Sequence, residues 1–163
     1  MARLFLAVWP PPEIIERIGA LPRHQQPGVR WLAASKWHVT LRFFGEADED
    51  EVAARLDSGV LMPARATVGP AVARLGHGVV VIPVDGLDAL AGAVVDVTAD
   101  VGKSPPRRRF SGHVTIARLR DGARCDLVGT QISGGFDVSE VLLVRSTLHP
   151  AGARYDVVGR WPL

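Results

Sequence analysis

The stretch Trp37–Glu46, WHVTLRFFGE, decides how the chain is read. Residues 38–44 read as a strand, with polar and apolar side chains alternating over 38–43. Side chains two apart on a strand share a face, roughly 6.6–6.8 Å from each other, so His38 and Thr40 stand together and Val39 and Leu41 take the other side. A lone His-x-Thr on a strand is ordinarily structural. The reading changes because His-Val-Thr-aliphatic recurs at 113–116, inside FSGHVTIARLRDG (110–122), 75 residues further on. Thr is only 6 of 163 residues, and two of the five histidines have one two places on. Chance gives that in roughly one percent of such sequences. One copy near the middle of each half implies two similar lobes facing each other.

Working outward, strand patterns cover 3–9, 29–32, 38–44, 113–119, 137–148 and 153–161. Two more, 66–75 and 79–84, flank the turn Gly76-His77-Gly78. Helical stripes cover 13–21, 48–56 and 87–102, with one helical turn at 126–131. Strands and helices are interspersed, connections are short, and several neighbours read as hairpins. This predicts an α+β fold with mostly antiparallel sheet rather than a doubly wound parallel one. No low-complexity linker interrupts it, so residues 1–163 are expected to form a single domain.

Hydrophobic content of 47% and charged content of 22% fit a globular protein. No apolar run approaches the ~20 residues that span a bilayer. MARLFLAVWPPPE reads as a first strand ended by prolines, not a signal peptide, and the expected location is cytoplasmic without a membrane partner. The single Cys125 excludes an intrachain disulfide and a cysteine metal cluster. Charge is uneven: residues 1–100 hold 9 basic and 12 acidic side chains, residues 101–163 hold 10 and 5. Of the 19 basic residues 17 are arginine, which suits bidentate phosphate contacts. The run Arg107-Arg108-Arg109 opens this excess; it reads equally as a solvated loop or as a guide for a polyanion.

Paired across a cleft, the two strands would bring two imidazoles and two hydroxyls to one point. That set suits in-line displacement at phosphorus, where one imidazole removes a proton on one side and the other delivers one opposite, while hydroxyls hold the non-bridging oxygens. Two histidines without a carboxylate at ligand spacing fall short of a metal site, so neither metal nor cofactor is expected. A G-x-S-x-G elbow, a Walker loop and a G-x-G-x-x-G fingerprint are all absent. His24, His77 and His149 lie in turn or loop contexts and read as solvated.

These residues resemble the two-histidine phosphoesterase superfamily, and within it the RNA 2',3'-cyclic phosphodiesterases formerly named 2'-5' RNA ligases. The likeness rests on the motifs at 38–41 and 113–116 and on the flanks RLFLAVWPP, WHVTLRFFGE and RRRFSGHVTIARL, and it runs along essentially the whole chain. The resemblance implies a bilobal fold with pseudo-twofold lobes lining a central cleft. It implies metal-independent hydrolysis of an RNA-terminal 2',3'-cyclic phosphate to a 2'-phosphate, with weak reverse 2'-5' ligation, by a monomer. By the same resemblance His38 is general acid to the 3'-oxygen, His113 is general base on water, and Thr40 and Thr115 bind the phosphate. Phe43 and Arg118, each five residues after a motif histidine, flank the terminal base. Strand parity opposes that last transfer, because an odd offset faces away unless a bulge intervenes. On parity alone Phe43 reads as core, and Arg42 shares the His38 face as an alternative phosphate partner. Trp31 and Trp37 read as packing residues or base-stacking platforms, and Tyr155 as a residue that could border the cleft. Competing functions are a phosphodiesterase for small cyclic nucleotides and a non-catalytic module that binds nucleotides or RNA ends.

Overall fold

The computed structural model describes residues 1–163. The chain runs β1 (Ala2–Val8), α1 (Pro12–Gly19), β2 (Val29–Trp31), a 3₁₀ turn (Ala34–Lys36), β3 (Val39–Ala47), α2 (Glu49–Ser58), β4 (Ala64–Val68), β5 (Ala73–Leu75), β6 (Val79–Asp85), α3 (Asp88–Val97), β7 (His113–Leu119), β8 (Gly134–Val138), β9 (Glu140–His149) and β10 (Gly152–Pro162). All strand pairings are antiparallel, in the order β10-β9-β1-β3-β7-β6-β4-β8, with β2 beside β7 and β5 beside β6. The fold is α+β with mostly antiparallel sheet. No helix is long and apolar enough to cross a membrane.

One face of the sheet carries the main core. Leu4, Leu6 and Val8 from β1, Val39 and Leu41 from β3, Val80 and Ile82 from β6, and Val114 and Ile116 from β7 pack there against Ile14 and Ile18 of α1, Val52 and Leu56 of α2, and Leu90 and Val94 of α3. The helices present their apolar stripes because acidic first turns and fixed ends orient them: Asp48 accepts from the Glu51 amide at 3.0 Å to cap α2, and Pro11 and Pro12 open α1. The opposite face holds a smaller cluster of Phe5, Ala7, Leu142 and Val144, with Trp9 and Tyr155 against it.

Four element readings change. The stretch 66–75 is two strands, since the chain turns at Gly69, whose φ of +106° is open to glycine and where a Cβ would sit 2.0 Å from the Ile132 carbonyl oxygen. The stretch 137–148 is also two: β8 pairs with β4, β9 with β1 and β10, and Ser139 separates them. The helix drawn over 87–102 stops at Val97, where Thr98 turns its hydroxyl back to the Val94 carbonyl, and residues 126–129 form turns without a helix.

The two motif strands are neighbours. β3 and β7 pair at one position only, Val39 opposite Val114, the residues next to His38 and His113. Outward from that seam the order is β3 then β1 on one side and β7 then β6 on the other.

Candidate active site

His38 and His113 are held in the same way. His38 Nδ1 lies 2.7 Å from the Lys36 carbonyl oxygen, and His113 Nδ1 lies 2.8 Å from the Ser111 carbonyl oxygen, the acceptor in each case two residues earlier. A carbonyl only accepts, so Nδ1 carries the hydrogen in both rings. Each ring therefore reacts through Nε2, as a base when neutral and as an acid when protonated. Gly112 allows the second of these arrangements, since a Cβ there would stand 2.3 Å from the Val84 carbonyl oxygen.

The same irregularity follows each histidine. On β3, Ala7 faces Thr40 and Leu6 faces Arg42, which leaves Leu41 as an extra residue. On β7, Val81 faces Thr115 and Val80 faces Ala117, which leaves Ile116 as an extra residue. Leu41 and Ile116 both stand three places after their histidine, and in both strands positions three and four are buried while position five is exposed. A bulge shifts the period-two alternation by one residue. Phe43 and Arg118 are thereby returned to the face of His38, Thr40, His113 and Thr115. Cross-strand partners agree: Phe43 lies opposite Phe5, and Arg118 opposite Val79, on the face away from Leu6 and Val80. The parity objection to both residues is thus removed by geometry.

Arg42 is corrected. The bulge turns it to the core side, 3% exposed, where Nη1 donates to the carbonyl and hydroxyl oxygens of Thr98, and Nη2 to the carbonyls of Val101 (2.9 Å) and Lys103 (3.2 Å). It closes the C-terminal end of α3 and has no surface to offer a phosphate. Trp37 is buried with its indole donating to the Leu32 carbonyl at 3.2 Å, and Trp31 packs half-buried against the core while donating to the His24 carbonyl at 2.9 Å. Arg107–Arg109 lie on an exposed loop, and His24, His77 and His149 are exposed.

The His38 ring sits in an aromatic nest. It stacks on Phe5 (5.0 Å between centroids) and on Trp9 (4.7 Å), and Tyr155 meets it edge-on at 5.6 Å. Burial in this nest pushes its pKa down from 6.5 to about 4, with smaller contributions from the charges of Lys36 and His113 and opposed by the Lys36 carbonyl. Lys36 itself arches over the Tyr155 ring, 3.6 Å from its centroid, and donates to the Ala153 carbonyl. It pins the β9–β10 hairpin beside His38. Phe5 and Trp9 were not legible as site residues. Their signal is that β1 is apolar on both faces, which requires something to cover each.

No three His, Cys, Asp or Glu side chains gather as a metal site. The arrangement offers two imidazoles fixed in one tautomer, with hydroxyls alongside and a guanidinium and a phenyl ring further along the strands.

Residues 8–60 match the family described as LigT like phosphoesterase. The RNA 2',3'-cyclic phosphodiesterase of Methanocaldococcus jannaschii is 23% identical over 178 residues, spanning 98% of this chain and 99% of that protein. E. coli LigT complexed with 3'-AMP is structurally similar with a TM-score of 0.79 at 28% identity, over 99% of this chain and 98% of that one. TT0787 of Thermus thermophilus shares the fold with a TM-score of 0.80 at 23% identity, over 99% and 97% of the two chains. E. coli LigT has also been crystallised with NADP+, ATP and phosphate.

Proposed function

We propose that the chain is a LigT-like phosphoesterase that acts on RNA ends, hydrolysing a terminal 2',3'-cyclic phosphate to a 2'-phosphate. The observation that carries this reading is the duplicated hold on two imidazoles, Nδ1 on a carbonyl two residues back in each motif. In the proposed reaction His113 Nε2 takes a proton from a water that attacks phosphorus. The bond from phosphorus to the 3'-oxygen breaks in line, and His38 Nε2–H delivers the proton to that oxygen. The products are a 2'-phosphate and a 3'-hydroxyl. Thr40 and Thr115 donate to the non-bridging oxygens, Phe43 flanks the terminal base, and Arg118 contacts the nucleotide further along the same face of β7.

An imidazole with a pKa of about 4 is neutral in the resting protein at neutral pH. For His38 to act as the acid, the anionic phosphate must raise it, which an adjacent negative charge does. Protonation of His38 then accompanies substrate binding. The two motifs, side by side across the seam between β3 and β7, form one site within a single domain, and the chain works as a monomer.

A short RNA ending in a 2',3'-cyclic phosphate, incubated with EDTA and resolved into 2'- and 3'-phosphates, tests this. Turnover to the 2'-phosphate is expected, and His38→Ala and His113→Ala each lower kcat by about 10²–10⁴-fold. Absence of turnover on RNA and on cyclic mononucleotides, with nucleotide binding intact, would leave a binding module instead.

A further inference from the structure

Arg30 is the unassigned charge on this face. On β2 it stands directly opposite Arg118, with Val29 opposite Leu119 and Trp31 opposite Ala117. Val29 and Trp31 pack on the core side, so Arg30, exposed between them, faces the same way as Arg118, Thr115 and His113. Opposed residues of antiparallel strands lie side by side, and like charges so placed repel. None of the chain's six ion pairs involves either arginine, although Arg55, Arg65, Arg109, Arg145, Arg154 and Arg160 all have carboxylate partners. The register therefore sets two arginines opposite each other, neither of them in an ion pair, on the face that carries the histidines. An oxyanion with several acceptor oxygens satisfies both forks at once and turns the repulsion into attraction.

Its position selects the anion. Arg118 is three residues beyond Thr115, one of them absorbed in the bulge at Ile116, so it lies about two strand steps, ~7 Å, along β7. That is the scale of one nucleotide. We propose that Arg30 and Arg118 form a second anion subsite, which takes the phosphate on the 5' side of the nucleotide whose cyclic phosphate sits between the histidines. This rests on the reading of the site given above. The group recognised is a phosphate mono- or diester, supplied either by a 5'-phosphorylated mononucleotide or by the preceding linkage of an RNA.

Calorimetry with adenosine 2'-monophosphate and adenosine 2',5'-bisphosphate separates the subsite from the catalytic centre. The wild type is expected to bind the bisphosphate about tenfold or more tightly, as a charge-assisted contact warrants. Arg30→Ala should remove most of that preference, and Arg30→Lys should keep part of it. An equal preference in wild type and Arg30→Ala, or no preference in the wild type, overturns the subsite. Kinetic arms with a 5'-phosphorylated cyclic mononucleotide and with a dinucleotide ending in a cyclic phosphate show which source of phosphate is used. A wild type that prefers the bisphosphate but hydrolyses no cyclic phosphate sinks the hydrolase reading and leaves the subsite standing. One that hydrolyses without any preference sinks the subsite alone.

Discussion

At the scale of single residues, the chemistry turns on how far the aromatic nest depresses His38. Its pKa of about 4 against 6.5 in the unfolded chain means that the unfolded state takes up this proton first as pH falls. Stability is therefore lost progressively between pH 6.5 and 4, by about 3 kcal/mol once both states are protonated. Chemical denaturation of wild type and His38→Gln across that window should show the loss in the first and a flatter curve in the second. In the proposed reaction the same group sets the acid limb. The productive form carries one proton on the pair of imidazoles, so the lower of the two titrations bounds it on the acid side. In kcat/KM, which reports the free protein, that limb should lie near pH 4; in kcat it should lie higher, because the bound phosphate raises His38. Tyr155→Ala, by admitting water to the ring, should move the kcat/KM limb up, and NMR titration of the His38 ring reads the same shift directly. At this scale the motif residues were legible because near-identical tetrapeptides occur twice. Arg42 was misread because its neighbours obey the strand period only as far as Leu41.

At the scale of elements, the bulges and the end of α3 do the positioning. Arg42 reaches from β3 to the carbonyls of Thr98, which caps α3, and of Val101 and Lys103 in the loop beyond it. Arg42→Met would fill the volume but strip the Val101 and Lys103 carbonyls of their guanidinium donor, leaving the Thr98 carbonyl with the Val101 amide alone. It should cost about 2–4 kcal/mol in urea unfolding, with kcat on the surviving folded protein little changed. The result would separate this arginine from Arg118, whose loss should raise KM. Strand existence was legible from alternation, and the helices from their stripes. What alternation could not supply was the extra residue in each motif strand, since a bulge inserts no signature amino acid. Leu41 and Ile116 are ordinary core residues in sequence and become decisive only through their pairing partners. The break at Ser139 is marked only by the polar pair Ser139-Glu140, between the alternation of Phe136 and Val138 in β8 and the apolar run 141–144 in β9, which pair with different strands.

At the scale of the molecule, the sheet divides labour between its faces, with helices and the large core on one and the imidazoles, aromatic nest and unpaired arginines on the other. The antiparallel α+β class followed from interspersed strand and helix patterns joined by short, hairpin-like connections. The strand order did not, because β1 lies between β3 and β9, a placement set by packing far along the chain. The junction at Val39 and Val114 has a mechanical side. β3 is bound to β1, and β7 to β6, along most of their lengths, whereas β3 and β7 share a single pair. A sheet under load parts where the fewest bonds cross. Here that tear line runs between His38 and His113, so the weakest joint of the scaffold is also the gauge that fixes the gap between the two imidazoles.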